Sequence, residues 1–492
     1  MTLVVGSLVE SNIQGAAGSS RTAFREGADL VELRLDHITG HSLPTIREAR
    51  REILGPMIAT LRSKRQGGRS GISGAERESM LSEMLESDFE YVDIELDTDR
   101  SFLKRMRVQE SGPEIIVSSH LFAPSSRELI EKKLLDASVL GDIAKVAMPC
   151  ENATQALMLT HAGLKFSRMK KRFVLIGMGP QGQLTRVFAD RIGSELAYAC
   201  LSGKETAPGQ LDIATQAVLL NKRRKVFGLI GHPVSHSVSK PMQEEALKNL
   251  GLTGAYLPLD FPAKEFDRNA VRSLKALGFE GLNVTIPHKG TAFRLCDRRG
   301  DSAAATRAVN TISFDGRQIV GENTDVNGFS RLLDGKMCIT KYTDSLLIGA
   351  GGAARAVAYV LSERKVKLSV TDIEKSRADD LAKKFGAKPL SLRRLWKSGR
   401  SFDLVVNCTP VGMKGVPGTP LKASFLKPGS VFIDVIYNPP VTKAMETAEK
   451  RGAKVYGGLE MLVQQGAESF RLWTGLEPNV DAMRDAARRA LQ

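Results

Sequence analysis

The sequence predicts an α/β protein built in two halves. An N-terminal (β/α)8 barrel comes first, followed by a two-part α/β half that includes a Rossmann fold. Three observations carry this reading. Residues 1–221 hold eight short apolar runs, separated by stretches long enough for helices. A basic cluster at 222–225 closes that beat and leads into a new strand, 226–230, followed by a turn rich in Ser, His and Pro. A third region opens at 345–349, where an apolar strand meets a glycine turn.

The apolar runs lie at 3–5, 30–35, 57–61, 91–96, 115–117, 143–148, 173–176 and 196–199. Helix-length stretches such as 75–86, 127–137, 152–162 and 183–191 stand between them. Strands alternating with helices imply a parallel sheet. Eight such units in this length match a (β/α)8 barrel, whose chemistry sits at the C-terminal ends of its strands. The expected domains are therefore a barrel over 1–221, a substrate part over 222–330, a dinucleotide-binding part over 331–456, and C-terminal helices over 457–492 that return to the substrate part. The stretch 459–476 reads as a helix with Gly475 near its end.

Composition supports a multidomain globular chain. The 492 residues are 42% hydrophobic and 25% charged, enough apolar material for more than one core. No window approaches the ~18 consecutive apolar residues that a membrane span needs. The N-terminus lacks the basic and apolar regions of a secretory signal. Five widely spaced cysteines with no C-x-x-C argue against a disulfide framework or a zinc site, and a reducing cytoplasm fits. The net charge of +15 raises nucleic acid as a partner, but the basic residues are dispersed and aromatics are only 6%. A basic enzyme for small anionic substrates is the better reading.

Candidate chemistry begins at 31–36. Polar and apolar residues alternate there, so Glu32, Arg34 and Asp36 are expected on one strand face and Leu33 and Leu35 on the other. A structural ion network and a substrate site both fit. In 142–148, Lys145 stands alone in an apolar strand, with Ile143 and Ala147 on its face. A desolvated lysine is a usable amine nucleophile. The plainer reading is an edge strand with Lys145 in solvent. His120 ends the strand 114–120, as a satisfied core histidine or as a proton carrier beside Lys145.

These motifs together resemble the type I 3-dehydroquinate dehydratases, over residues 1 to about 220. Glu32-Leu-Arg34-Leu-Asp36 and Thr60-Leu-Arg62 resemble the family's substrate-binding strands. Ser118-Ser-His120 resembles the catalytic histidine's strand, and Lys145 the Schiff-base lysine. Gly182-Gln-Leu-Thr-Arg186 resembles the segment whose arginine holds the substrate carboxylate. Thr206-Ala-Pro-Gly-Gln210 resembles the lid, with Thr206 in place of a serine. One departure stands out: the family has a glutamate supporting the histidine before its glycine pair, where this chain has Gln66-Gly67-Gly68. A glutamine is expected to hold the ring by a hydrogen bond but to supply no charge.

A decoy lies in the same half. Gly177-Met-Gly179-Pro-Gln-Gly182 satisfies G-x-G-x-x-G, but the next strand ends without an acidic residue to hold a ribose. It reads as the seventh βα loop of the barrel. The run Gly349-Ala-Gly351-Gly352-Ala353-Ala354-Arg355 has the right context. It follows a strand, opens an alanine-rich helix, and is succeeded about 20 residues later by a strand ending in Asp372.

From Phe227 to the C-terminus the chain resembles the shikimate dehydrogenases. His236-Ser237-Val-Ser239 resembles the paired serines for the substrate carboxylate, and 283–289, with Asn283, Thr285 and Lys289, the signature carrying the catalytic lysine. Asn310 and Asp325 lie in the next two motifs, Asp325 as the partner of Lys289. Tyr437 and Gln465 fall in segments that close the site. The resemblance assigns Gly349, Gly351, Gly352, Ala353, Thr409 and Gly458 to the cofactor. A lysine paired with an aspartate can hold and deliver the proton that ketone reduction requires; spacing alone also allows a surface ion pair.

The resemblance implies NADP, whereas Asp372-Ile373-Glu374 replaces the family's Asn-Arg-Thr and argues for NAD. Lys375 and Arg377 are the counterweight. The reading is a bifunctional enzyme with no metal: dehydration of 3-dehydroquinate to 3-dehydroshikimate, then reduction to shikimate. Its partners are small molecules, without nucleic acid or membrane, and a homo-oligomer is allowed. The rivals are a catabolic quinate/shikimate dehydrogenase, a binding-only barrel, and a nucleic-acid binder.

Overall fold

The structure is a computed structural model that describes residues 1–97, 100–106, 112–220, 223–235, 237–334 and 340–492. Lys222 of the basic cluster, His236 of the serine motif and the cysteine Cys338 lie outside the described residues. Two compact units emerge. The first is Met1–Arg224 with Leu259–Phe261 and Asn269–Gly278; the second is Lys225–Pro258, Pro262–Arg268 and Phe279–Gln492.

Each apolar run of the first unit is a strand: β1 (Leu3–Leu8), β2 (Leu30–Arg34), β3 (Met57–Thr60), β4 (Tyr91–Glu95), β5 (Glu114–His120), β6 (Ile143–Pro149), β7 (Phe173–Met178) and β8 (Leu196–Cys200). They form one sheet in the order β7-β6-β5-β4-β3-β2-β1-β8. The β7–β8 seam carries no ladder but is bridged by the Glu195 N–H donating to the Phe173 carbonyl at 2.8 Å. The result is a nearly closed parallel barrel.

Alternation along the strands builds its interior in layers. Val5, Leu30, Ile58, Ile116 and Ile143 form an apolar layer. Two residues further along each strand, toward the C-terminal end, stand Ser7, Glu32, Thr60, Ser118 and Lys145, all buried. The polar layer therefore rests on an apolar plug.

Two local expectations change, and one basic residue is buried. Strand β2 stops at Arg34, and Asp36 sits in a 3₁₀ turn, Leu35–His37, rather than on the strand. The helix expected over 183–191 breaks at Phe188 into Gln183–Val187 and Ala189–Ile192. Within the basic cluster Arg224 is not solvated: it is buried, bonded to Asp190 at 2.7 Å and stacked over the Phe188 ring.

The second unit has two six-stranded sheets. The first contains β9 (Lys225–Gly231), β10 (Gly254–Asp260), β11 (Gly281–Val284), β12 (Arg298–Arg299), β13 (Thr311–Asp315) and β14 (Gln318–Glu322), ordered β10-β9-β11-β13-β14-β12. Helices Leu459–Thr474 and Val480–Arg489 share a core with it, joining Val463, Phe470 and Met483 to Phe227 and Leu229. Gly475, at φ 70°, ends the first of these helices in the left-handed region.

The other sheet contains β15 (Asp344–Ile348), β16 (Lys367–Thr371), β17 (Lys388–Pro389), β18 (Phe402–Asn407), β19 (Leu426–Asp434) and β20 (Lys454–Gly457), all parallel, ordered β17-β16-β15-β18-β19-β20. This is the doubly wound order. Its topological switch point, where such folds bind ligands, lies between β15 and β18.

Candidate active sites

Lys145 is 2% exposed and faces the barrel interior. The isolation expected from its strand is not found. Its Nζ lies 3.0 Å from Asp93 Oδ2 and 3.7 Å from Glu32 Oε1, and 3.9 Å from the centroid of the Tyr198 ring. Asp93 also receives Arg62 at 2.8 Å and the Ser118 hydroxyl at 2.6 Å. Burial pushes the Asp93 carboxyl up, but the Arg62 and Lys145 charges outweigh it and hold the group well below the usual carboxylate range. Glu32 is fixed by hydrogen bonds from Ser7 at 3.0 Å and Thr60 at 3.1 Å.

One strand away, His120 stands two residues beyond Ser118, which registers with Lys145. Burial, reinforced by the Arg62 and Lys145 charges, holds its ring well below the ordinary histidine value, so the imidazole is neutral. Its Nδ1 is sealed from solvent and has no hydrogen-bond partner among the described residues. The expectation that Gln66 holds the ring is corrected here. Gln66 Oε1 accepts from the His120 backbone N–H at 2.7 Å. The glycine pair makes this possible: Gly67 turns at φ 82°, and a Cβ on Gly68 would lie 2.2 Å from the Arg62 carbonyl.

The three candidate arginines differ. Arg34 pairs bidentately with Asp36, both bonds 2.8 Å. Arg62 is spent on Asp93, Glu95 and Ser118. Arg186 is buried with no ion pair among the described residues. One nitrogen donates to the Tyr198 carbonyl at 2.8 Å, its Nε has no partner, and burial pushes it down to about 10. Thr206 and Gln210 are tied together, the Thr206 hydroxyl donating to Gln210 Oε1 at 2.7 Å. Gly177 and Gly182 are packing positions, since a Cβ on Gly182 would lie 2.3 Å from the Gly177 backbone, while Gly179 turns at φ 83°.

In the second unit Lys289 Nζ is 2.5 Å from Asp325 Oδ2. Asn310 donates to the other Asp325 oxygen at 2.8 Å and to Gln465 at 3.2 Å. Asn283 is buried, accepting from the Tyr256 hydroxyl at 2.8 Å and donating to Ser469 at 2.9 Å. The Ser237 and Ser239 hydroxyls are 3.0 Å apart. Burial pushes the half-buried Tyr437 phenol up, opposed by the neighbouring Ser237 hydroxyl. Thr285, two residues after Asn283, is half-buried.

Lys289 also marks the edge of the dinucleotide fold: a Cβ on Gly352 would meet its Cδ at 3.4 Å. Gly349 turns at φ 100°, where a side chain is strained, and a Cβ on Gly351 would meet nothing within 4 Å. Helix Gly352–Glu363 starts there, with Ala353 in its first turn, so open backbone and a helix N-terminus fit a pyrophosphate. Thr409 follows β18 across the switch point, its hydroxyl and N–H donating to Asn407 Oδ1. Gly458 is sterically required, since a Cβ would lie 2.0 Å from the Val435 carbonyl.

Asp372 is not the free acid its position suggested. Its oxygens accept from Ala350 N–H at 2.7 Å and Glu374 N–H at 2.8 Å, tying the glycine turn to the next strand. Arg377 is paired with Glu374 at 2.7 Å, and Ile373 is 93% exposed. Sequence reasoning missed Asp93, Glu95 and Tyr198 in the barrel, and Tyr256 and Ser469 in the second unit. Alternation in 91–95 signalled the two acids; nothing in spacing signalled the others. Among the described residues no group of three His, Cys, Asp or Glu could hold a metal, and no helix is long and apolar enough to cross a membrane.

The type I 3-dehydroquinase family model matches residues 5–225. The shikimate dehydrogenase substrate-binding domain matches 229–312, and the shikimate 5'-dehydrogenase C-terminal domain matches 458–488. A bifunctional 3-dehydroquinate dehydratase/shikimate dehydrogenase, chloroplastic, of Arabidopsis thaliana is 31% identical over 96% of this chain and 82% of its own length. Shikimate 5-dehydrogenase of Thermus thermophilus, solved with NADP(H) and shikimate, is 37% identical, with a TM-score of 0.50 over 54% of this chain and 100% of its own. Quinate dehydrogenase of Corynebacterium glutamicum, solved with NAD, is 32% identical, with a TM-score of 0.51 over 54% of this chain and 99% of its own. The chain belongs to the bifunctional 3-dehydroquinate dehydratase/shikimate dehydrogenases, shikimate-pathway enzymes that join a lyase to an oxidoreductase.

Proposed function

We propose that Lys145 and His120 are the reacting pair of the dehydratase. The carrying observation is the buried Lys145 amine in the polar layer, one strand from the His120 imidazole. The amine adds to the substrate ketone and water leaves, forming an imine that acidifies the neighbouring C–H. The neutral His120 ring takes that proton and returns it to the departing hydroxyl, which leaves as water. Hydrolysis of the imine restores Lys145 and releases 3-dehydroshikimate. Arg186, a buried cation without an ion pair among the described residues, takes the substrate carboxylate. Glu32, Arg34, Arg62, Thr206 and Gln210 shape the rest of the site.

In the reductase, Ser237 and Ser239 hold the substrate carboxylate. Asn283, Thr285, Asn310, Tyr437 and Gln465 contact its remaining oxygens. Lys289 gives the proton to the carbonyl oxygen as it becomes an alcohol, and Asp325, itself held by Asn310, fixes that ammonium. The residues around Gly349, Gly351, Gly352, Ala353, Thr409 and Gly458 hold a nicotinamide dinucleotide, which supplies the hydride when bound. Asp372 and the Glu374–Arg377 pair favour NAD slightly, with both cofactors working. The domain limits are those read from the sequence, and a reducing cytoplasm suits the free cysteines.

Incubation with 3-dehydroquinate and each reduced cofactor tests the whole reading. Shikimate should accumulate, and borohydride with 3-dehydroquinate should leave a stable adduct on Lys145. Equal labelling of Lys145→Ala, or dehydratase activity in it, would overturn the assignment.

A further inference from the structure

A third neighbour of the Lys145 nitrogen, after Asp93 and Glu32, has no role in the scheme above. Tyr198, in β8, is 4% exposed, and the centroid of its ring lies 3.9 Å from Nζ. Asp93 and Glu32 are the carboxylate contacts of that nitrogen. The Tyr198 hydroxyl is buried and has no hydrogen-bond partner among the described residues. A polar atom left unsatisfied inside a barrel costs stability, and the contact that Tyr198 makes with a functional group is through its ring face.

The two kinds of partner differ once chemistry starts. An ammonium offers three N–H donors, whereas the protonated imine it becomes offers one. Contacts that depend on N–H donors are therefore thinned as the imine forms. Attraction to a ring face depends on the charge, which both species carry. The backbone adds a link to the substrate end of the site, because the Tyr198 carbonyl accepts from Arg186 at 2.8 Å.

We propose that Tyr198 is a positioning residue for the dehydratase, its ring face holding the Lys145 nitrogen's positive charge before and after the imine forms. This rests on Lys145 being the imine-forming residue. The test uses the full chain with Tyr198→Phe, Tyr198→Leu and Tyr198→Met, checked for an intact barrel by far-UV circular dichroism and thermal melting. Steady-state dehydration and borohydride trapping at Lys145 are then measured.

Tyr198→Leu should lower kcat and the trapping rate about tenfold, the scale of a desolvated cation–ring contact, with KM little changed. Tyr198→Phe should stay within about twofold of the parent, because it keeps the ring and loses only an unpartnered hydroxyl. Should the leucine variant unfold, the methionine variant fills the volume without a ring and is held to the same expectation. Ringless variants with parental kcat would overturn the proposal. A phenylalanine variant as impaired as the ringless ones would also overturn it, by assigning the role to the hydroxyl. Absence of a Lys145 adduct in the parent would instead refute the imine reading on which the proposal depends.

Discussion

Replacing Asp93 with asparagine removes one charge from the barrel's interior and almost nothing else. The residue is 1% exposed, with one oxygen accepting from Ser118 and the other facing Arg62 at 2.8 Å and Lys145 at 3.0 Å. An asparagine amide can aim its oxygen at the two cations and its NH₂ at the Ser118 oxygen, so packing and hydrogen-bond count survive. What remains is an excess of one positive charge, with Arg62 left to Glu95 at 3.6 Å and Lys145 to Glu32 at 3.7 Å. Breaking a buried pair in this way costs about 3–5 kcal/mol. The exposed Arg172–Glu114 pair, 41% exposed on both sides, provides the control, because losing it costs under about 1 kcal/mol.

The assay can separate the units. Trp396 and Trp473, the two tryptophans of the chain, both belong to the second unit. Their emission during urea unfolding therefore reports that unit, while loss of dehydratase activity reports the barrel. Asp93→Asn should move the barrel transition down and leave the tryptophan transition in place. The sign with pH follows from the depressed Asp93 carboxyl: its contribution is complete above the ordinary aspartate range and fades as acid carries the pH below it. The difference between parent and variant should therefore be constant from neutral pH down to about pH 4–5 and shrink only below that. A loss under about 1 kcal/mol at neutral pH, no larger than that of Glu114→Gln, would refute the argument that this carboxylate balances the two buried cations.

Three further outcomes are expected. Gln66→Glu brings a carboxylate near the neutral His120 ring, which favours the imidazolium, so the acidic limb of dehydratase kcat/KM should move to higher pH; an unmoved limb would show that position 66 acts only on the backbone N–H. Lys289→Met should lower kcat for ketone reduction by about 10²–10⁴, with dehydration unchanged, and Asp325→Asn should act in the same direction; full reduction by the methionine variant would remove Lys289 from proton transfer. Glu374→Gln should release Arg377 and raise kcat/KM with NADPH relative to NADH, by less than about tenfold because the pair is exposed; an unchanged ratio would place the 2′-phosphate away from Arg377.

Most of the fold could be read because burial leaves a periodic trace. The barrel strands lie on the eight apolar runs, and the glycine turn after Ile348 stands at the switch point of a doubly wound sheet. The site was legible where alternation places a charge on a buried face, as with Glu32 and Lys145, and the same pattern in Val92-Asp93-Ile94-Glu95 shows that this signal was present for Asp93 too. It was not legible where a residue's role depends on what points at it from a distant segment. Ser469 is a hydroxyl inside a helix, distinguished by Asn283, Thr311 and Thr324 converging on it. Gln66 reads as a substitute for a ring-holding carboxylate until its oxygen is found on a backbone N–H. Asp372 makes the same point for cofactor choice. Its position after β16 marks it as a ribose ligand, yet the backbone N–H groups of Ala350 and Glu374 already engage both oxygens. Each of those oxygens keeps a second lone pair, so the carboxylate can brace the turn and still accept from a ribose hydroxyl. The proposed preference for NAD then depends on negative charge at the turn rather than on a free acceptor, which makes Glu374, and not Asp372, the residue to change first.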